Sequence, residues 1–80
     1  SKRLIIIRCE ESNLSDNQNL INKLDTLNDN IYFITNNITI KADGLSDKKP
    51  EGNFTAYICQ NNICLEPISS IEKLIEFMKK

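Results

Sequence analysis

Three cysteines and no histidine decide which chemistry is open to this chain of 80 residues. Without histidine, a cysteine nucleophile paired with an imidazole base cannot be assembled from the chain itself. Cys59 and Cys64 form the one constellation with chemistry in it, because they flank Asn61-Asn62 symmetrically. Asparagine tolerates positive φ, so an Asn-Asn pair suits a two-residue hairpin turn of the primed type. That turn sets Cys59 opposite Cys64 as a non-hydrogen-bonded pair, with Cα atoms about 4.5 Å apart. The distance lies near the short end of the range a disulfide accepts, about 4.4–6.8 Å. Closing so small a loop contributes roughly 2 kcal/mol in the chain-entropy picture. Three states stay open: reduced thiols acting as small, partly buried apolar side chains, a reversible cross-strand disulfide, and metal ligands. Zinc would need Cys9 and a fourth ligand, and there is no CxxC knuckle. In a reducing compartment the expectation is the first state, since structural disulfides are rare there.

Other groups offer less. Glu10, Glu11, Asp43 and Asp47 fall in loop segments, without a spacing that argues for paired acid–base work. Two glycines in the whole chain leave no phosphate-cradling loop, and nothing implies a cofactor or a resident metal. The expectation is therefore a domain with no catalytic constellation of its own.

The elements that must position the cysteine pair are legible around it. In the hairpin register Gln60 faces Ile63, Ile58 faces Leu65 and Tyr57 faces Glu66. Side chains alternate along strands, so Ala56, Ile58, Ile63 and Leu65 share an apolar face and Tyr57, Cys59, Cys64 and Glu66 share the other. Pro67 and Ser69-Ser70 end the second strand. Ser69 with Glu72 has capping-box spacing, and Ile71, Leu74, Ile75 and Met78 follow as one helical face. Lys79 and Lys80 close that helix at the end that favours cations.

Upstream, Leu4-Ile5-Ile6-Ile7 is an unbroken apolar run ending at Arg8-Cys9. Such a run predicts a central strand, covered on both faces. Ser15 and Gln18 repeat the capping-box spacing and Leu20, Ile21, Leu24 and Leu27 give a stripe, which predicts a helix stopping at Asn28-Asp29-Asn30. Ile31 to Ile34 is the next strand and completes a β-α-β unit. Asn36-Asn37 then resembles the later turn, and Ile38 to Ala42 alternates, so a first hairpin is predicted as well. Residues 43–53, with both glycines and Pro50, read as an exposed and mobile loop. The fold class expected is α/β, in the α+β sense. It comprises a small mixed β-sheet with a β-α-β unit, a C-terminal β-hairpin and a terminal helix, with two helices packed on the central strand. A thioredoxin-like half-fold is compatible with that order.

Bulk properties exclude several partners. Ten basic residues stand against eleven acidic ones, which gives no field for nucleic acid or an anionic membrane. Lys48-Lys49 and Lys79-Lys80 read as solvated pairs. No apolar run approaches the roughly 20 residues of a membrane span, and no signal peptide is visible, so a cytoplasmic, intracellular home is expected. Residues 1–80 read as a single small α/β domain. A chain that opens almost at once on an apolar strand reads as a module of a larger protein. Three glycosylation sequons, at Asn13, Asn37 and Asn53, are what chance supplies among eleven asparagines.

The carboxyl-terminal stretch carries a resemblance. Thr55-Ala56-Tyr57-Ile58-Cys59, then Asn61, Cys64, Pro67-Ile68 and the helix from Ile71 to Met78 resemble the carboxyl-terminal region of one large family. These are the thioredoxin-domain-containing proteins related to the spermatogenesis-associated thioredoxin-like protein. Leu4 to Ile7 resembles the strand that opens that region, and Lys49-Pro50-Glu51-Gly52 its approach loop. Specific matching covers about 30 residues. The resemblance implies a parent with a thioredoxin-like domain and a central helical barrel, and the remaining domains of that parent as partners. It implies a structural or interaction role for this module, with a redox-responsive Cys59/Cys64 pair as the alternative. Cys9 stands where a thioredoxin-like fold carries its redox motif, yet Cys9-Glu10-Glu11-Ser12 lacks the second cysteine.

Overall fold

The computed structural model describes residues 2–80 and places four strands and two helices in them. β1 (Arg3–Cys9) is followed by a 3-10 turn (Glu11–Asn13) and α1 (Leu14–Ile21). Then come β2 (Asp29–Thr35), β3 (Phe54–Gln60), β4 (Ile63–Cys64) and α2 (Ile71–Met78). The sheet order is β2-β1-β3-β4, with β1 parallel to β2 and antiparallel to β3, and β3 antiparallel to β4. The mixed sheet, the β-α-β unit and the C-terminal hairpin and helix are those the sequence predicts.

β1 is central because its isoleucines have two faces to fill. Ile5, Ile6 and Ile7 are all buried. Ile5 and Ile7 point, with Ala56 and Ile58 of β3, at Ile21 of α1 and at Leu74 and Met78 of α2. Both helices therefore pack on one face. The opposite face carries Ile6, Arg8, Thr55 and Tyr57, all buried, yet no helix of the described residues lies there. Residues 36–53 cover it instead.

That segment corrects three expectations. Ile38 to Ala42 forms no strand, so the first hairpin does not exist. Ile38 N–H does donate to Thr35 O across Asn36-Asn37 (3.0 Å). However, among the described non-glycine residues only Asn61 and Asn62 have positive φ. Without a primed turn the chain is not twisted back onto β2. The second correction concerns Lys48, which is 8% exposed rather than solvated. The third is that residues 43–53 are not simply an exposed loop, because their backbone is bonded to the sheet beneath.

The helices also begin and end differently. α1 starts at Leu14, so Ser15 lies inside it, and Asn13 stands at the N-cap without a side-chain bond. It stops at Ile21, short of the predicted stripe. Asp25 Oδ1 accepts the Leu27 N–H (3.1 Å), a local bond that competes with the helix ladder. Leu24 still packs against the core, whereas Leu27 is 80% exposed. For α2 the cap is Ser70, not Ser69: its side chain accepts from Lys73 N–H. The stripe itself faces inward, with Leu74 fully buried and Ile71 and Ile75 packed beside it.

Candidate functional site

The hairpin register is the predicted one. Gln60 pairs with Ile63 and Cys59 with Cys64, and Asn61 and Asn62 take φ of 54° and 66°. This is the primed turn whose twist matches the strands it joins. Beyond it the ladder departs from the simple pattern. Leu65 N–H donates to Ile58 O (2.9 Å), but the next pair is Ala56 with Ile68 (2.8 and 2.9 Å). Glu66 and Pro67 thus stand opposite Tyr57 alone, a bulge of one residue, and the expected Tyr57–Glu66 pairing is absent. Proline has no N–H for a ladder, which places the bulge where it does least harm.

Cys59 and Cys64 are joined by a disulfide across this pair, with Cα atoms 4.0 Å apart. The bonded state replaces the expectation of two reduced thiols filling apolar space. Burial agrees with that correction: Cys64 is exposed and Cys59 half-buried. By strand alternation the bond lies on the face of Ile6 and Tyr57, away from the helices. Cys9 is free and fully buried on the helix face, at the far end of β3 beside Phe54. It cannot reach the pair. A thiolate from outside can approach Cys64, and the chemistry on offer is thiol–disulfide exchange.

The tip of the hairpin overhangs the sheet, because β1 pairs with β3 only as far as Leu4↔Cys59. Ile63 and Leu65 lie on the face of Ile58 as predicted, yet they are 70% and 48% exposed. With Arg3, Ile58, Gln60 and Phe77 they line a cleft of about 330 Å³. Arg3 is fixed there by Asp29, through Nε–Oδ1 (2.7 Å) and Nη2–Oδ2 (3.2 Å), and lies 5.4 Å from the centre of the Phe77 ring.

Comparison with protein families, with curated proteins and with solved structures finds no match to this chain.

A second constellation escaped sequence reasoning. Arg8 is 1% exposed and binds backbone carbonyls on three segments. Its Nε donates to Ile34 O (3.0 Å), Nη1 to Lys48 O (2.8 Å), and Nη2 to Thr35 O (3.1 Å) and Ile38 O. Tyr57 Oη donates to Lys49 O (2.6 Å), and Thr55 Oγ1 bonds both the N–H and the carbonyl of Glu51 (2.9 and 2.6 Å). Four consecutive positions of the covering segment, from Lys48 to Glu51, are thereby clasped at three of them. Lys48 lays its side chain over the Tyr57 ring, with Nζ 5.7 Å from the ring centre and 2.8 Å from Asp47 Oδ2. The signal was present in the sequence: an arginine continuing an unbroken apolar strand must itself be buried.

Burial leads the shifts of Arg8 and Tyr57. Desolvation pulls the Arg8 guanidinium down from its ordinary value, against a smaller opposing influence of Tyr57. Burial first, then Glu51, pushes the Tyr57 hydroxyl up, with Arg8 opposing. Asp47 is held below the usual carboxylate range, chiefly by its hydrogen bond from Lys48. Glu10, Glu11 and Asp43 are exposed and converge on nothing. Among the described residues no three Cys, Asp or Glu side chains gather closely enough for a metal ion. No described helix is long and apolar enough to cross a membrane.

Proposed function

We propose that this chain is a non-catalytic interaction module of a thioredoxin-like protein, acting in the cytoplasm, and that its partners are the remaining domains of its own parent. The observation that carries the reading is the overhanging hairpin. The turn at Asn61-Asn62 holds Ile63 and Leu65 in solvent beside Phe77, and exposed apolar side chains grouped around one cleft mark an interaction site. A parallel β-α-β unit joined through β1 to an antiparallel β-β-α unit is in keeping with a thioredoxin-like half-fold.

The test uses the reading frame upstream of Ser1. The domains it encodes, expressed separately, are expected to bind this chain in titration calorimetry. Binding should disappear with Ile63→Asp and Leu65→Asp together, which leave the core untouched. Absence of binding, or binding indifferent to the double substitution, removes the reading.

The disulfide itself favours a second reading, a redox-responsive module. A thiolate of an external dithiol attacks Cys64 Sγ, Cys59 leaves as thiolate, and the second thiol of the reductant resolves the mixed disulfide. Two electrons pass to the pair and the reductant becomes the disulfide. In a cytoplasm poised by glutathione the resting pair would be the dithiol, and the bonded form the signalling state. Differential alkylation across a glutathione series, with Cys9→Ser as control, is expected to show the 59–64 bond as the dominant oxidised species. A dominant Cys9 disulfide, or no 59–64 bond under strong oxidation, excludes it.

A further inference from the structure

Arg8 uses its donors but not its charge. Each of its hydrogen-bond partners is a neutral carbonyl, and no described carboxylate pairs with it. Asp47 is engaged by Lys48, and the Glu51 carboxylate lies 3.4 Å from the Tyr57 hydroxyl. A cation taken out of water without a counter-ion is costly, and its field is weakly screened by the surrounding protein. Four of the five guanidinium N–H groups are occupied by those carbonyls, which leaves one N–H on Nη1.

Arg8 also lines a cavity of about 420 Å³ between the sheet and the covering segment. Its other walls are of two kinds. Ile38, Ile40 and Pro50 are apolar, whereas Asn36, Ser46, Thr39 and Lys49 bring polar groups. Asn36 Oδ1 is buried with no partner, while its Nδ2 donates to Gly52 O (3.1 Å). A mostly apolar hollow with a few convergent polar groups is the form small-ligand sites take, and its size falls in their usual range of about 300–1,000 Å³. The charged residues that line it, Arg8 and Lys49, are both cations.

We propose that this cavity is a binding site for a small organic anion: a carboxylate with a short apolar body. The carboxylate accepts from the free N–H of Arg8 and from Lys49. The apolar body lies against Ile38, Ile40 and Pro50, and a hydrogen-bond donor on the ligand would satisfy Asn36 Oδ1. The site is on the face away from the helices and does not depend on the role given to the hairpin.

The test is a ¹H–¹⁵N titration of the whole chain with hexanoate, with hexanol (the same body without charge) and with inorganic phosphate. Hexanoate is expected to shift the amides of Asn36, Ile38, Thr39, Ile40 and Lys49 saturably, together with the Arg8 side-chain N–H signals. Hexanol should bind roughly tenfold more weakly, since one hydrogen bond to a charged group contributes that much. Phosphate should also bind roughly tenfold more weakly, since it lacks the apolar body that Ile38, Ile40 and Pro50 would cover. Lys49→Gln, an exposed position, should weaken hexanoate without changing the melting temperature. Arg8→Lys is the direct variant; should it fail to fold, the three probes and Lys49→Gln still decide the matter. Equal binding of hexanol and hexanoate, equal binding of phosphate, or shifts scattered over the surface would each overturn the proposal.

Discussion

Removing the guanidinium of Arg8 takes a donor from the carbonyls of Ile34, Thr35, Ile38 and Lys48, of which Thr35 O keeps the Ile38 N–H. Arg8→Met keeps the methylene stem and is expected to destabilise the chain by about 2–4 kcal/mol in denaturant melts, because unsatisfied buried acceptors are expensive. A loss below about 0.5 kcal/mol would mean that the clasp is not energetically coupled to the fold. Tyr57 makes a pH-dependent contribution whose sign can be worked out. Folding raises its pKa, so the native state resists ionisation more than the unfolded chain does. That contribution is fully present below the unfolded value of about 10 and is lost as pH rises past it and through the higher folded value. Tyr57→Phe should cost about 1 kcal/mol at neutral pH for the lost bond to Lys49 O, and should lose stability less steeply above about pH 10. Parallel alkaline slopes for the two proteins would contradict this.

At the scale of elements, α2 offers the sharpest contrast. Leu74 is fully exposed to the core and not at all to solvent, so Leu74→Ala is expected to cost about 2–5 kcal/mol by chemical denaturation. Ser70→Ala should cost about 1 kcal/mol as a lost N-cap, and Ser69→Ala next to nothing; the reverse order would restore the capping box read from the sequence. The one-residue shift shows what spacing cannot resolve. Ser69 and Ser70 are chemically equivalent, and the bulge at Glu66-Pro67 decides which of them arrives at the helix start. The hairpin was legible because its turn residues, its β-branched flanks and its cysteines all agree. The copy at Asn36-Asn37 shares the letters but not the positive φ values, and beyond it the Ile38 carbonyl is held by Arg8 rather than by a second strand. α1 was over-extended for a comparable reason: Asp25 bonds the Leu27 backbone locally, and a leucine stripe does not reveal that.

For the molecule as a whole, the helix-covered face was legible in its periodic apolar residues. The opposite face was not, because its cover is an irregular segment of mixed composition held by hydrogen bonds to Arg8, Tyr57 and Thr55. The cysteine pairing could be placed to the atom pair, but the redox state of the pair could not be read from residue types. Hydrogen exchange is expected to separate the two faces, with β1 amides the slowest and those of residues 36–47 fast. Slow exchange throughout that segment would mean that it belongs to the same cooperative unit as the sheet.

The central position of β1 has a consequence for how the chain is made. β1 ends at Cys9 and its antiparallel partner begins only at Phe54. Ribosomes add about 5–20 residues per second, so a run of four consecutive apolar residues, Leu4 to Ile7, waits several seconds with one backbone edge open. β2 emerges sooner and can occupy the parallel edge, but not the other. Contacts between residues so far apart along the chain also close slowly once the chain is complete. The residues that make β1 the centre of the finished sheet are therefore those most exposed to mispairing with a neighbouring nascent chain. A nascent-chain pull-down should find holdase chaperones engaged from the emergence of Ile7 until that of Gln60, and released thereafter.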